Sequence, residues 1–156
     1  MQARNAGLVL LAAALTFVSA AAGTSTEPKQ LVTITSKAGD YRFALVWSRP
    51  GATTTDSGSL DYRILTDRDL VRDGQHVRVN EVLDTYTGRR GTLVLRDRIE
   101  WTDAGNGHTI GVNTWRVLRG TGAYKDVTGH GRGAYAWLHP PRGPVTYRND
   151  GLLTSK

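Results

Sequence analysis

Short runs of β-forming residues, with almost no helical periodicity, recur along the chain from Leu31 onward. Gly, Asp, Asn or Pro separates the runs, and this punctuation is typical of an all-β domain. Thr53–Ser59 is rich in Thr, Gly and Ser, which indicates a mobile loop. The pattern predicts eight strands: Leu31–Ser36, Tyr41–Ser48, Leu60–Leu65, Gln75–Tyr86, Gly91–Thr102, Gly111–Arg119, Val127–Leu138 and Val145–Thr154.

The predicted strands are joined by short connections, which favour an antiparallel meander over crossovers. A meander of eight strands that closes on itself has no exposed edges, and its interior holds side chains or one small ligand. We therefore expect a single eight-stranded antiparallel β-barrel over residues 31–156. An open two-sheet sandwich is the alternative architecture.

Alternation within the two central strands predicts which side chains face the interior. In Gln75–Tyr86, one face carries Val and Leu together with Glu81, and in Gly91–Thr102 the apolar face includes Asp97. The apolar face is expected to be buried, since a slip of one residue would turn it to solvent. Each central strand thus has one acid on its otherwise apolar face.

A five-residue loop over 87–91 would place Glu81 opposite Asp97, and Arg78 opposite Glu100 on the outer face. Two carboxyl groups that face each other in an apolar cavity cannot both ionise, so they would share a proton and could act as acid and base. Glu81 and Asp97 are therefore the candidate catalytic residues. The alternative is a structural pair neutralised by an inward Arg or Tyr. The candidate ligand-binding residues beside them are aromatic: Trp47, Tyr62, Trp101 and Trp115.

The first 22 residues have the features of a secretory signal peptide. Arg4 provides the positive start, an apolar core follows from Leu8, and Ala20–Ala22 offers small residues for cleavage. The apolar stretch is too short for a membrane span. We expect the leader to be removed and the remaining chain to be secreted, with no membrane span.

Composition narrows the chemistry that the chain can carry. With no Cys, the chain has no disulfides, thiolate metal sites or cysteine nucleophiles. The four His residues lack metal-ligand spacing, so neither a metal nor a cofactor is expected. The formal net charge is +6, and loss of the leader's single arginine leaves +5. Such a dispersed excess of positive charge is typical of a solvated surface. The more specific interpretation is that the surface binds an anionic polymer. The outward arginines that would hold it are Arg42, Arg78, Arg96, Arg98 and Arg116.

One segment resembles a known family. The run Gly120-Thr121-Gly122-Ala123-Tyr124, preceded by Trp115-Arg116-Val117 and followed by Gly129-His130-Gly131, is similar to a hairpin of the allene oxide cyclase and dirigent barrels. Secreted bacterial proteins carry a similar pattern. The resemblance implies an eight-stranded antiparallel barrel with a central apolar pocket. Plant members cyclise or orient small apolar substrates without a cofactor. None of the family's catalytic positions can be matched to residues here.

Three functions fit these observations, and the first is the one we expect. It is a secreted barrel that binds a small, mostly apolar molecule in its central pocket. The second is a cofactor-free cyclase or isomerase that uses the paired acids. The third is a surface module for anionic polymers. The fold alone cannot choose among them, and the sequence selects no oligomeric state.

Overall fold

A computed structural model describes residues 30–36, 41–141 and 143–155 of the chain. These residues form eight strands and one short 3₁₀ turn, η1 (Gly122–Tyr124). The strands are β1 (Gln30–Ser36), β2 (Arg42–Arg49), β3 (Ala52–Arg72), β4 (Gln75–Gly88), β5 (Gly91–Gly105), β6 (His108–Gly120), β7 (Val127–Leu138) and β8 (Val145–Ser155). The predicted signal peptide lies outside the described residues.

Every strand pairs antiparallel with its neighbours in sequence, and β8 closes the ring by pairing with β1. The predicted eight-stranded antiparallel barrel is therefore confirmed, and the open sandwich is excluded. Within the ring each strand is paired on both sides, whereas β3 beyond Ser59 pairs along its length with β4 alone. The core fills the ring with aliphatic and aromatic side chains from all eight strands.

β3 is far longer than expected. Thr53–Ser59, predicted as a mobile loop, belongs to this strand and pairs with β2 in continuous register. Thr has high β-propensity, and Pro50–Gly51 forms a tight two-residue connection to β2 in which Gly51 has a φ of +76°. Thr54 and Asp56 are buried, so the segment contributes its polar side chains to the interior rather than to solvent.

The register between β4 and β5 differs from the prediction by one residue. Gly88 pairs with Gly91 across a two-residue turn, Arg89–Arg90, instead of a five-residue loop. This shift reverses the faces of β4 relative to β5. Asn80, Val82, Asp84 and Tyr86 point inward, whereas the residues predicted to do so face outward: Val77, Val79, Glu81 and Leu83.

The two outward valines remain buried because residues of the adjacent strands cover them. Val77 lies between Leu70 on β3 and Thr102 on β5. Val79 lies between Arg68 on β3 and Glu100 on β5, and the aliphatic stems of such residues cover apolar surface. The predicted Arg78–Glu100 pair does not form, since Glu100 binds Arg72 and Arg98 instead.

One end of the barrel is plugged by side chains. Trp47 stacks on Tyr124 of η1, with ring centroids 6.3 Å apart, and both side chains are almost fully buried. Asp56 accepts hydrogen bonds from the Tyr124 hydroxyl at 2.9 Å and from the backbone N–H groups of Arg89 and Arg90 at 3.1 and 3.3 Å. A single buried acid thus joins β3, η1 and the β4–β5 turn at what we call the closed end.

Candidate functional site

A cavity of about 570 Å³ occupies the opposite end of the barrel, where β1 connects to β2, β5 to β6 and β7 to β8. Its wall combines aliphatic side chains such as Leu60, Val82 and Ile99 with one buried acid, Asp84. The wall also contains aromatic residues, which are Tyr41, Tyr62, Trp101, Tyr135, Trp137 and Tyr147. A concave, mainly apolar space with a few convergent polar groups is the usual form of a small-molecule site.

Asp84 is paired with Asp97 inside the barrel. Asp84 lies opposite Leu95 and Asp97 lies opposite Val82, so the two acids are diagonal neighbours on the inner face of β4 and β5. Their carboxyl groups lie close enough to interact electrostatically within the barrel. Burial is the main cause that raises the pKa of Asp84 to about 6, and burial followed by the charge of Asp84 raises the pKa of Asp97 to about 8. The pair therefore holds one proton near neutral pH.

Uncharged polar groups connect this acid pair to the rest of the interior. On one side Tyr86 donates to Asp84 at 3.3 Å, and Tyr147 donates to Tyr86 at 3.1 Å. On the other side Asn113 donates to Oδ1 of Asp97 and, at 3.0 Å, to Asn149. Oδ2 of Asp97 is buried and has no hydrogen-bond partner among the described residues, an arrangement that favours the protonated, uncharged form of this acid.

The contact between Asn113 and Asn149 depends on a glycine in the strand that lies between them. Asn113 on β6 and Asn149 on β8 both pair with Gly133 on β7. A Cβ at position 133 would overlap the side-chain oxygens of both asparagines. The absence of a side chain on β7 therefore allows the interior network to span three strands.

A second group of polar side chains lies at the mouth of the cavity. It is formed by β4 and by the part of β3 that lies beyond its pairing with β2. Arg78 forms a bidentate pair with Asp67, and Asn80 donates to the same carboxylate at 2.8 Å. Asn80 also accepts the indole N–H of Trp101 at 2.8 Å. Trp101 packs edge-to-face on Tyr135 and Trp137, so this bond fixes the ring that forms much of the wall.

The Trp101–Asn80 bond provides a small, measurable contribution to stability. Replacing Trp101 with Phe keeps an aromatic ring and removes the donor, and Asn80→Ala removes the acceptor. A double-mutant cycle of urea unfolding free energies should give a coupling of about 1 kcal/mol, the net value of one hydrogen bond. A coupling of zero would show that the indole orientation does not depend on Asn80.

The structure brings together only some of the residues predicted for the site. Asp97 is fully buried in the interior as expected, and Tyr62 and Trp101 line the cavity. Glu81 was expected to face Asp97, but it points outward, pairs across the strands with Arg98 and binds Arg96 in an ion pair. Arg96 lowers the pKa of Glu81. The predicted Glu81–Asp97 pair is therefore wrong, because the strand register differs by one residue.

Two of the four predicted ligand-binding aromatic residues do not line the cavity. Trp47 belongs to the closed end, where Arg49 covers its ring at 4.2 Å. Trp115 packs against the backbone of Gly131 and Gly151, whose missing Cβ atoms leave room for its indole. Both rings are core residues, which is the usual position for buried Trp.

The sequence pattern missed Asp84, Tyr86, Tyr135 and Tyr147. Both faces of β4 carry apolar residues, so alternation alone could not decide between them. The one usable signal was the Gly-Arg-Arg-Gly run, since glycines that flank two residues are compatible with a short hairpin. With that turn, Asp84 and Tyr86 face the same side as Asp97.

The outward arginines are largely occupied by acids. Arg96 binds Glu81, Arg98 binds Glu100, and Arg78 lies at the cavity mouth rather than on the outer wall. Arg42 and Arg116 form no ion pair with any described residue. Over the same residues, no group of three His, Asp or Glu side chains is arranged to hold a metal ion, and no helix is long and apolar enough to cross a membrane.

Comparison with known proteins gives no relative. No family model matches the chain, and neither the curated proteins nor the solved structures include a match.

Proposed function

We propose that the protein binds a small, mostly apolar molecule in the cavity at the open end of the barrel. The observation that supports this most directly is the cavity itself, about 570 Å³ in volume and lined chiefly by aromatic and aliphatic side chains. Pockets of this size suit drug-sized ligands. The buried polar groups, Asp84 above all, would orient the ligand within an apolar environment.

The same proposal includes secretion and a relationship to the allene oxide cyclase and dirigent barrels. The apolar N-terminal segment, with Arg4 before it and small alanines after it, supports export. The Gly120–Tyr124 motif supports the relationship, because Gly122–Tyr124 forms η1 and Tyr124 fills the closed end.

Filling the cavity tests the binding proposal. Val145 is a partly buried residue on the cavity wall at the start of β8, and Val145→Trp would place an indole in the ligand space. We expect a neutral fluorescent probe such as Nile red to bind the native protein at one site. The affinity should fall at least about tenfold in the variant, because the wall no longer admits the probe.

Val112→Trp is the matched control, since Val112 is 56% exposed on the outer face of β6. This variant should bind the probe as the native protein does. Urea unfolding of both variants checks that they fold. Equal probe affinity in Val145→Trp and the native protein would contradict binding in the cavity.

A cofactor-free cyclase or isomerase is the second candidate, and one observation favours it. Asp84 borders the cavity and shares a proton with Asp97, so an acid and a base lie at one position beside the ligand. In this version Asp84 takes the role that the sequence assigned to Glu81. We rank it second because biosynthetic intermediates are usually processed inside the cell.

A further inference from the structure

The buried acid pair, of which Asp84 lines the cavity, has no positively charged partner in the part of the chain that the structure describes. Neither Asp84 nor Asp97 forms an ion pair with a Lys, Arg or His among the described residues. The groups that contact the two acids are the tyrosine hydroxyl of Tyr86 and the amide of Asn113. Asp84 is 4% exposed and Asp97 is fully buried. A buried negative charge is normally matched by a cation, because its desolvation is costly.

The cavity itself provides the surroundings that a cation prefers. Trp101, Trp137, Tyr135 and Tyr147 present aromatic rings to the space beside Asp84, and aromatic faces attract ammonium groups. Tyr135 is only 6% exposed, and its buried hydroxyl lies toward Asn149 inside the barrel.

The mouth of the cavity does not favour an anion. Arg78 lines the cavity, but its Nε and Nη2 atoms both donate hydrogen bonds to the carboxylate of Asp67. Asp69 lies opposite Arg78 on β3 and adds a second negative charge. The three groups therefore carry a net negative charge, and the arginine is not free to bind a ligand carboxylate.

We propose that the ligand is a small organic amine, bound as its ammonium ion with the charge against Asp84 and the apolar body against the aromatic wall. This inference rests on the proposed binding function and adds the chemical class of the ligand. The ammonium ion supplies the counter-charge that the described residues do not.

Three probes with one naphthyl group and different head groups test the charge preference. They are 2-(1-naphthyl)ethylamine, 2-(1-naphthyl)ethanol and the carboxylate of 1-naphthaleneacetic acid (the acetate probe), which are positive, neutral and negative near neutral pH. Affinities are measured by calorimetry with the full native chain and with Asp84→Asn and Asp97→Asn. We expect the amine to bind at least about tenfold more tightly than the acetate, with the alcohol between them.

The two variants should separate, although each removes one carboxyl group from the same pair. Asp84→Asn should abolish the preference for the amine, so that the amine binds no more tightly than the alcohol. Asp97→Asn should keep the preference or increase it, because Asp84 is then ionised without a competing acid. A structural role for the pair would change both variants alike. Urea unfolding confirms that each variant folds.

The other outcomes each overturn a stated claim. If all three probes bind equally, or the acetate binds most tightly, the cavity binds ligands but the amine inference fails. If the preference for the amine survives Asp84→Asn, the charge is recognised elsewhere and the inference fails. If no probe binds the native protein, the binding function and the inference both fail.

Discussion

The Asp97→Asn variant is expected to be more stable than the native protein at alkaline pH, by several kcal/mol. In the native barrel the pKa values of Asp84 and Asp97 are raised from 3.8 to about 6 and about 8. Above the unfolded pKa of 3.8, the folded state therefore holds protons that the unfolded chain has already lost. The free energy of unfolding falls as the pH rises from there through the folded pKa values of about 6 and about 8. Each pKa unit corresponds to about 1.4 kcal/mol, and an asparagine at position 97 removes the larger of the two costs.

Urea unfolding followed by tryptophan fluorescence, repeated from about pH 5 to about pH 9, measures this effect. The native protein should lose stability over that range, and Asp97→Asn should lose much less. Glu81→Gln is the matched control, because Glu81 is the outward acid of the neighbouring strand and its pKa is lowered by Arg96. That lowered pKa affects stability only at more acidic pH, so the control should follow the native curve. A native stability that is constant or rises across the range would show that the two acids do not share a proton.

Asp56→Ala is expected to destabilise the barrel by about 3 kcal/mol or more. Asp56 is 6% exposed and accepts from two turn amides and the Tyr124 hydroxyl. Removal of the carboxylate leaves these donors without an acceptor in a region closed to solvent, at a cost of about 1–3 kcal/mol for each buried group. The closed end, the β4–β5 turn and η1 would be weakened together.

Chemical denaturation and amide hydrogen exchange at Arg89 and Arg90 together measure this loss. Exchange at both amides should accelerate by more than the change in global stability explains. Asp61→Ala is the control, because Asp61 lies on the same strand, is exposed and accepts no hydrogen bond from a described residue. Similar losses in the two variants would mean that the carboxylate at position 56 does not organise this end.

The outcome for β3 illustrates what local sequence rules can and cannot predict. The ends of β4, β5, β7 and β8 were predicted to within a few residues, since apolar runs and turn residues mark them clearly. Thr53–Ser59 was assigned to a loop because Thr, Gly and Ser are common there. In the barrel, the same residues pair with β2 and place Thr54 and Asp56 inside, because strand pairing outweighs the turn preference of the Asp, Ser and Gly residues that follow the threonines.

The site was predicted less well than the fold, for a reason that lies in the β4–β5 turn. Interior carboxyl groups that share a proton were expected, and Asp97 is one of them, but its partner is Asp84 rather than Glu81. The shorter turn has its amides bound by Asp56, a residue 33 positions from Arg89 in the chain. No rule that considers neighbouring residues includes such a contact.

The amino-acid pattern alone was sufficient for the number of strands and their antiparallel order, because both follow from short-range alternation and from short connections. Closure of the ring was the expected architecture, and the pairing of β1 with β8 decided it against the open sandwich. It was not sufficient to choose the acids and aromatic rings that meet in the cavity. That choice depends on register, and side chains in a strand alternate with a period of two, so a single residue in one turn exchanges the inner and outer faces. In the folded barrel the distant carboxylate of Asp56 accepts hydrogen bonds from the amides of this turn, and the register that goes with the turn places Asp84 beside Asp97.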